Sequence, residues 1–434
     1  MTEGPALDEA LAYLDDHIDL EKAASGRFGP PTLDRMAQMT ALMGDPQAAA
    51  PVIHLTGTNG KGSTARMITA LLAAHGLSVG TYTSPHLERL HERIAVNGTA
   101  IDDDALAGVL EAVSLVERES GVRATWFEVM TLAAFRWFAD EAVDVAVVEV
   151  GLAGRWDATN VADGIVAVVT NVGLDHTAIL GPTRAHVAAE KAGIVKPGAT
   201  LVLGEADPAL AATFEERGPA AIWRRGPDFD CVENRLAVGG RLLDLRTPAQ
   251  GYEEVFLPLH GRHQGDNAAC AVAAVEAFFA RPVADEVTRE ALASVVVPGR
   301  FEIVRRRPLV VLDGAHNPDG ARAAAATVED LSVAGGRLVV VGMMGDRDPD
   351  ELLEALGARE ASLVVACAVD WPRAMPAEQV ADAARRLGVP TRVGATVAAA
   401  VNLALAAAEP ADLVLVSGSL RVIGAARTHL LAEG

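Results

Sequence analysis

The chain has 434 residues, half of them hydrophobic and 22% charged, so it is globular and long enough for two or three domains. Its 37 Lys+Arg against 58 Asp+Glu leave a net charge of −21, which opposes non-specific binding to nucleic acid or an anionic membrane surface. Cys231, Cys270 and Cys367 match no metal or redox spacing. The acidic N-terminus lacks the basic start and apolar run of a signal peptide, and no apolar stretch reaches spanning length. A soluble, cytoplasmic monomer is the expectation.

In chain order, the pattern predicts a helix over Leu7 to Ile18, a Gly/Pro loop "ASGRFGPPT", and a second helix through Met43. "PVIHLT" then reads as a short buried strand, "GKGSTARMITALLAAHG" as a helix with a Gly stop, and "SVGTYTS" as a second strand. "VDVAVVEV" and "GIVAVVTN" follow as apolar strands flanked by helical patterns. Such alternation predicts a mostly parallel sheet covered on both faces. Between roughly Ile222 and Leu259, short segments around Gly-Gly and Pro read as antiparallel hairpin strands packed on that sheet. Helices over Asp266–Ala280 and Ala284–Ser294 lead into "VVVPGRFEIV", whose Pro-Gly marks a boundary between domains at 1–297 and 298–434. Beyond it, "PLVVLDGAHN", "GRLVVVGMM", "ASLVVACAV" and "ADLVLVSGS" are strands separated by helices rich in Ala, Leu and Glu. The predicted class is α/β: a P-loop-containing, mostly parallel sheet domain with an added small antiparallel sheet, followed by a smaller Rossmann-like domain.

The chemistry starts at "HLTGTNGKGSTARM", His54 to Met67. The general phosphate loop has four residues between its first Gly and the Gly-Lys pair, then Ser or Thr after Lys. Here only Thr58 and Asn59 separate Gly57 from Gly60, and Gly62 follows Lys61. The strand, turn and helix context still offers an anion the free N–H groups of a helix start, with Lys61 for the outer phosphates. Phosphate chemistry also calls for a metal and a carboxylate, and Glu149 ends an otherwise apolar strand. "GLAGRWDATN" follows it, and His176 in "NVGLDHTAILG" follows the next strand. Three strand tips of one sheet, after Thr56, Val148 and Thr170, converge at its carboxyl edge, where open α/β sheets bind ligands.

The motifs "HLTGTNGKGST", "YTSPHLERLHERIAVNG", "TWFEVMT", "VVEVGLAGRWDATN", "GLDHTAILG", "AEKAGIVKPG", "PGRFEIV" and "DGAHNPDG" together resemble the folylpolyglutamate synthase/dihydrofolate synthase family of the Mur ligase superfamily. They occur in the family's order from about Leu7 to the end, and "TGTNGKGS" resembles its shortened phosphate loop, with the hydroxyl moved to Ser63. The resemblance implies that Gly57, Thr58, Asn59, Gly60, Lys61, Gly62 and Ser63 hold ATP phosphates, and that Asn267, Arg300 and Asp313 contact the nucleotide. It implies Ser84 and Glu149 as ligands of one magnesium, and His176 with a carbamylated Lys191 at a second. A carbamate suits that place, since an ammonium beside the metal would be repelled. Lys61, Lys191, His176 and Arg300 are the implied catalytic set. Thr125, Trp126, Phe127 and Glu128, with Trp156, Asp157 and Ala158, match the pterin region, and His316 and Ser417 face the interdomain cleft. Trp126 stands where Phe is common, Ala153 replaces a usual Gly, and Leu90 and His91 replace frequent Phe and Asn; the first bears on pterin fit.

The implied cofactors are ATP and two Mg²⁺, and the implied substrates are dihydropteroate or a reduced folate and L-glutamate. The reaction would be amide formation through an acyl phosphate, giving a bifunctional enzyme. A monofunctional folylpolyglutamate synthase is the alternative. A muramoyl-peptide ligase relative fits less well, because only about fifty residues precede the loop, too few for a nucleotide-sugar domain. A non-catalytic nucleotide switch is opposed by Lys61, Glu149, His176 and Lys191 occurring together, since a switch needs no carbamylated lysine.

Overall fold

The computed structural model describes residues 5–19, 32–331 and 333–432; of the Gly/Pro loop at 24–32 only Thr32 lies within them. The first helix spans Pro5–Asp15 and the second Asp34–Leu42.

The strands of the first sheet are β1 (Val52–Thr56), β2 (Val79–Tyr82), β3 (Ile94–Val96), β4 (Thr99–Ala100), β5 (Val145–Glu149), β6 (Gly164–Val169), β7 (Thr200–Leu203) and β8 (Ala221–Arg224). Their order is β4-β3-β2-β5-β1-β6-β7-β8. β2, β5, β1, β6, β7 and β8 run parallel, while β3 and β4 form an antiparallel edge. β1 and β5 are buried along their whole length, as a sheet covered on both faces requires. The helices Lys61–Ala74 and His263–Phe279 cover one face, and Asp103–Ser120 and Trp126–Asp140 cover the other. Because β1 lies between β5 and β6, the connections leaving it and β5 diverge at their carboxyl ends, opening a crevice there.

The second sheet is antiparallel: β9 (Asp230–Ala237), β10 (Gly240–Arg246) and β11 (Gly251–Leu257), in the order β11-β10-β9. Its Leu243, Tyr252, Val255 and Leu257 share a core with helix His263–Phe279. The expected start of this sheet near Ile222 is corrected, because Ala221–Arg224 joins the large sheet in parallel to β7. The helix Pro208–Glu215 supplies the crossover that such pairing needs.

The third sheet holds β12 (Glu302–Arg306), β13 (Leu309–Leu312), β14 (Arg337–Val341), β15 (Leu363–Ala366), β16 (Thr391–Val393) and β17 (Leu413–Ser417). In the order β12-β13-β17-β14-β15-β16, only β12 is antiparallel to its neighbour, and separate apolar clusters cover the two faces. Two charged contacts tie this sheet's helices to the earlier ones: Arg427 Nη1 to Glu88 Oε2 at 2.6 Å, and buried Arg241 Nη1 to Asp330 Oδ2 at 2.8 Å.

Candidate active site

Val52–Thr56 ends the strand and Lys61 begins the helix, so the four residues Gly57 to Gly60 form the whole loop. Gly60 has φ +83°, and a Cβ there would lie 2.3 Å from Asn267 Oδ1, so glycine is required for both reasons. Lys61 Nζ folds back onto Gly57 O at 3.1 Å and Thr58 O at 3.4 Å, placing its charge over the loop. Ser63 is buried in the first turn of the helix. Asn171 Oδ1 receives Asn59 N at 3.0 Å, and Thr170 Oγ1 donates to Asn59 O at 2.6 Å, so the tip of β6 fixes the loop.

The loop opens onto a cavity of about 400 Å³, which also receives Ser84, Glu149, His176, Lys191, Asn267, Arg300, Asp313 and His316. Glu149 is buried and accepts Ser84 N at 3.2 Å. Burial raises its pKa, opposed by the Lys61 charge, the Ser84 N–H, Arg300 and Arg66. A Cβ at Gly62 would lie 3.4 Å from Glu149 Oε2, so the carboxylate abuts the phosphate-loop helix. His176 adopts a left-handed conformation (φ +51°) directly after Asp175. Burial lowers its pKa to about 4, with Arg347, His316 and Lys61 adding to the effect against Asp175. The imidazole is therefore neutral and able to ligate. Lys191 ends the helix Arg184–Lys191 and is only 4% exposed. Burial first, and then the Lys61 charge, pull its pKa well below the usual lysine value.

These donors suit a hard cation. Among the described residues no group of three or more His, Cys, Asp or Glu side chains is arranged to hold a metal ion by itself. One carboxylate and one hydroxyl beside a phosphate cradle is nevertheless how magnesium is held, with phosphate oxygens and water completing its shell.

The third sheet closes the far wall. Asp313, beyond β13, accepts Phe301 N and Ala315 N at 2.9 Å each, which orders the turns that carry Arg300 and His316. Arg300 Nη1 reaches Gly314 O at 3.4 Å, and His316 Nδ1 lies 2.9 Å from the same oxygen. Asp175 is the junction. It contacts Arg347, accepts Asn317 Nδ2 at 3.0 Å, and has His316 Nε2 at 3.6 Å. Burial would raise its pKa, but the His316 hydrogen bond and the charges of His176, Arg347 and His316 hold it below the usual range.

The pterin-region residues lie behind this cavity and do not line it. Thr125 caps the helix Trp126–Asp140 reciprocally with Glu128, and Glu128 also receives Arg35 Nη2 at 2.9 Å. Trp126 is buried under the Arg93 guanidinium, 4.7 Å from the ring centroid. Phe127 reaches the loop that follows β5: a Cβ at Gly151 would lie 2.4 Å from its ring. Asp157 spends its oxygens on Leu152 N, Thr159 N and Thr159 Oγ1, Ala158 is buried, and Trp156 is 44% exposed. Ser417 is fully buried, 3.5 Å from Ala315 O.

Sequence reasoning missed Asp175, Asn317 and Arg347. Each had a signal, because Asp175 and Asn317 adjoin the quoted His176 and His316, and Arg347 lies in the charged "GDRD" after β14.

A phosphate loop facing a carboxylate, a neutral imidazole and a buried amine, closed by a second α/β sheet, defines a nucleotide-dependent group-transfer enzyme. The description "Mur ligase middle domain" matches residues 55–275, and "Mur ligase, glutamate ligase domain" matches 299–420. The chain is 37% identical to the dihydrofolate synthase/folylpolyglutamate synthase of Mycobacterium tuberculosis, over 98% of this chain and 95% of that one. The crystal structure of M. tuberculosis folylpolyglutamate synthase complexed with ADP and AMPPCP superposes with a TM-score of 0.90 at 35% identity, covering 99% of both chains. The bifunctional enzyme of Yersinia pestis, solved with AMPPNP and a Mn ion, gives 0.84 at 32% identity and 98% coverage of both. This chain belongs to the dihydrofolate synthase/folylpolyglutamate synthase family of Mur ligases. It is an ATP-dependent ligase that joins glutamate to folate-type acceptors.

Proposed function

We propose that this ligase is bifunctional, adding L-glutamate to dihydropteroate and to the γ-carboxylate of reduced folates, and that it works as a cytoplasmic monomer. Residues 1–297 would form the nucleotide-binding domain and 298–434 the domain that delivers glutamate. The observation that carries this reading is one cavity walled by the phosphate loop on one side and by Arg300, Asp313 and His316 on the other.

In this mechanism the acceptor carboxylate attacks the γ-phosphorus of ATP, forming an acyl phosphate and releasing ADP. The α-amine of glutamate then attacks the acyl carbon, phosphate leaves, and the amine's proton passes to solvent. Gly57 to Ser63 hold the phosphates through backbone N–H groups and Lys61, and Asn267 positions the nucleotide against Gly60. Arg300 neutralises charge on the transferred group from the opposite wall. Ser84 and Glu149 would hold one magnesium, and His176 with carbamylated Lys191 a second. When bound, magnesium supplies charge neutralisation at the phosphate oxygens. Lys191 suits carbamylation because a neutral amine can add to the carbon of CO₂, losing one proton. Phe127, at the back of the loop that follows Glu149, lies where a pterin could be sensed, and Trp126, Asp157 and Ala158 shape that region.

The test is an assay of the purified protein with ATP, Mg²⁺ and glutamate, offering dihydropteroate and tetrahydrofolate separately. Glutamylated product from both acceptors is expected. Product from tetrahydrofolate alone would establish the monofunctional alternative.

A further inference from the structure

A second cavity, of about 760 Å³, lies on the other side of the phosphate-loop helix. Its floor is the outer face of that helix, with Arg66, Ala70 and Ala73, and β2 and β3 form one side. Four further parts of the chain complete it. Leu87 and Glu88 come from the loop that carries Ser84, Glu290 and Ala291 from the helix Asp285–Ala293, Val295, Val296 and Pro298 from the segment between the sheets, and Arg427 from the last helix. The volume falls in the range of small-molecule sites. Most of the wall is apolar, and Val296 stands at the rim 69% exposed.

Most of the polar groups inside are already committed; Arg66 and the exposed Glu290 are the exceptions. Glu88 is bonded to Arg427 and Thr428, the Thr69 and Thr81 hydroxyls bond each other at 2.7 Å, and Asn97 Oδ1 accepts Val79 N. The carboxylate of Glu92 accepts the N–H groups of Leu87, Glu88 and Arg89. Arg66 is different. No described residue hydrogen-bonds or ion-pairs with its guanidinium, although Glu92 and Glu149 act on it through space. A half-buried guanidinium with five donors and no hydrogen-bonded acceptor is an unfilled recognition group.

We propose that this cavity binds a small monocarboxylate with an apolar body, its carboxylate on Arg66 and its body against Ala70, Ala73 and Val295. Such an occupant would touch the Ser84 loop, the connecting segment and the last helix at once. It would therefore brace the Glu88–Arg427 contact that joins the two halves of the chain. This site is separate from the nucleotide cavity and does not rest on the assignment of the folate acceptor.

The experiment is calorimetric titration of benzoate into the full chain saturated with AMPPCP, with benzamide as a neutral probe of the same shape. Benzoate is expected to bind with a dissociation constant of about 1 mM or tighter, and benzamide at least about tenfold more weakly. Arg66→Gln should weaken benzoate about tenfold or more. Ala73→Phe, which fills the floor, should abolish benzoate binding while AMPPCP binding and unfolding temperature stay unchanged. The second variant keeps the test decisive if Arg66→Gln does not fold. Equal binding of benzoate and benzamide, unaltered benzoate binding in Ala73→Phe, displacement of benzoate by AMPPCP, or no heat from benzoate would each overturn the proposal.

Discussion

Asn317 donates from Nδ2 to Asn59 Oδ1 at 3.0 Å and accepts from Asn59 Nδ2 at 3.3 Å, so two amides pair reciprocally across the cleft. One belongs to the phosphate loop and the other starts the helix Pro318–Asp330, where its Oδ1 also caps Gly320 N at 2.9 Å. Asn317 further holds Asp175, beside His176. The pair thus links the third sheet to the phosphate loop and to Asp175 in one step. Asn59→Ala and Asn317→Ala are each expected to lower kcat/KM for ATP about tenfold. The double variant should be little worse than the poorer single, because both remove the same link. Asn317→Ala should also lose about 1 kcal/mol of stability from the missing cap. Kinetics and urea unfolding of the three variants check this, and fully additive kinetic losses would show that the two amides act separately.

Of the parallel strands in the two large sheets, β1, β5, β6, β13, β14, β15 and β17 were legible because each is a short, nearly continuous apolar run between helical patterns, and β2 was legible from its place after a helix stop; β7 and β16 were not named. The β3–β4 hairpin was not legible, although Asn97-Gly98 is a turn dipeptide with both residues at positive φ. Its strands have only three and two residues, too short for alternation to show. The same limit misassigned Ala221–Arg224, whose half-buried pattern matches an edge strand of either sheet. In the site, residues on strand tips and glycine turns could be named from sequence. Asp175 could not be weighed there, since its importance lies in contacts with Asn317 and Arg347, 142 and 172 residues away in sequence. Thr125 and Glu128 carry a second, visible duty as a helix cap, which no single motif separates from ligand binding.

Glu149→Gln preserves volume and the approach of Ser84 N while removing the charge that a hard cation needs. The expected result is a half-saturating Mg²⁺ concentration raised about tenfold or more, with nucleotide binding in the absence of metal nearly unchanged. Because burial already raises the carboxyl pKa, the amide should not destabilise the fold. A Mg²⁺ titration of activity decides the matter, and an unchanged midpoint removes Glu149 from the metal site.

His54 on β1 is fully buried, with Nε2 2.9 Å from Thr159 Oγ1. Burial, with a contribution from Lys196, holds its pKa down to about 3 against an ordinary 6.5. Between those values the unfolded chain takes up a proton that the folded chain refuses, so stability falls as pH drops below about 6.5. The His54 share of that slope is about 1.4 kcal/mol per pH unit. Urea unfolding of wild type and His54→Gln at pH 7.5, 6 and 5 should show the wild type losing stability more steeply. Parallel curves would mean that the titration arises elsewhere.

Lys191 supplies the sharpest test of the proposed second metal position. It lies in the cavity with His176, and no described residue hydrogen-bonds its amine, although burial has removed it from water. A buried ammonium near Lys61 is unfavourable, which is why its pKa is pulled down, and a neutral amine is the form that reacts with CO₂. A carbamate there would convert a misplaced cation into an anion beside a neutral imidazole, as a hard metal ligand set requires. Protein equilibrated with ¹³C-bicarbonate should show a carbamate carbon resonance that is lost in Lys191→Ala. The variant should lose at least about a hundredfold in ligase rate, the scale on which removal of a transition-state charge contact acts. Short carboxylates added to Lys191→Ala should restore part of that rate by occupying the ligand position. An Ala variant of near wild-type rate, with no carbamate signal in the parent, would return Lys191 to a purely structural lysine.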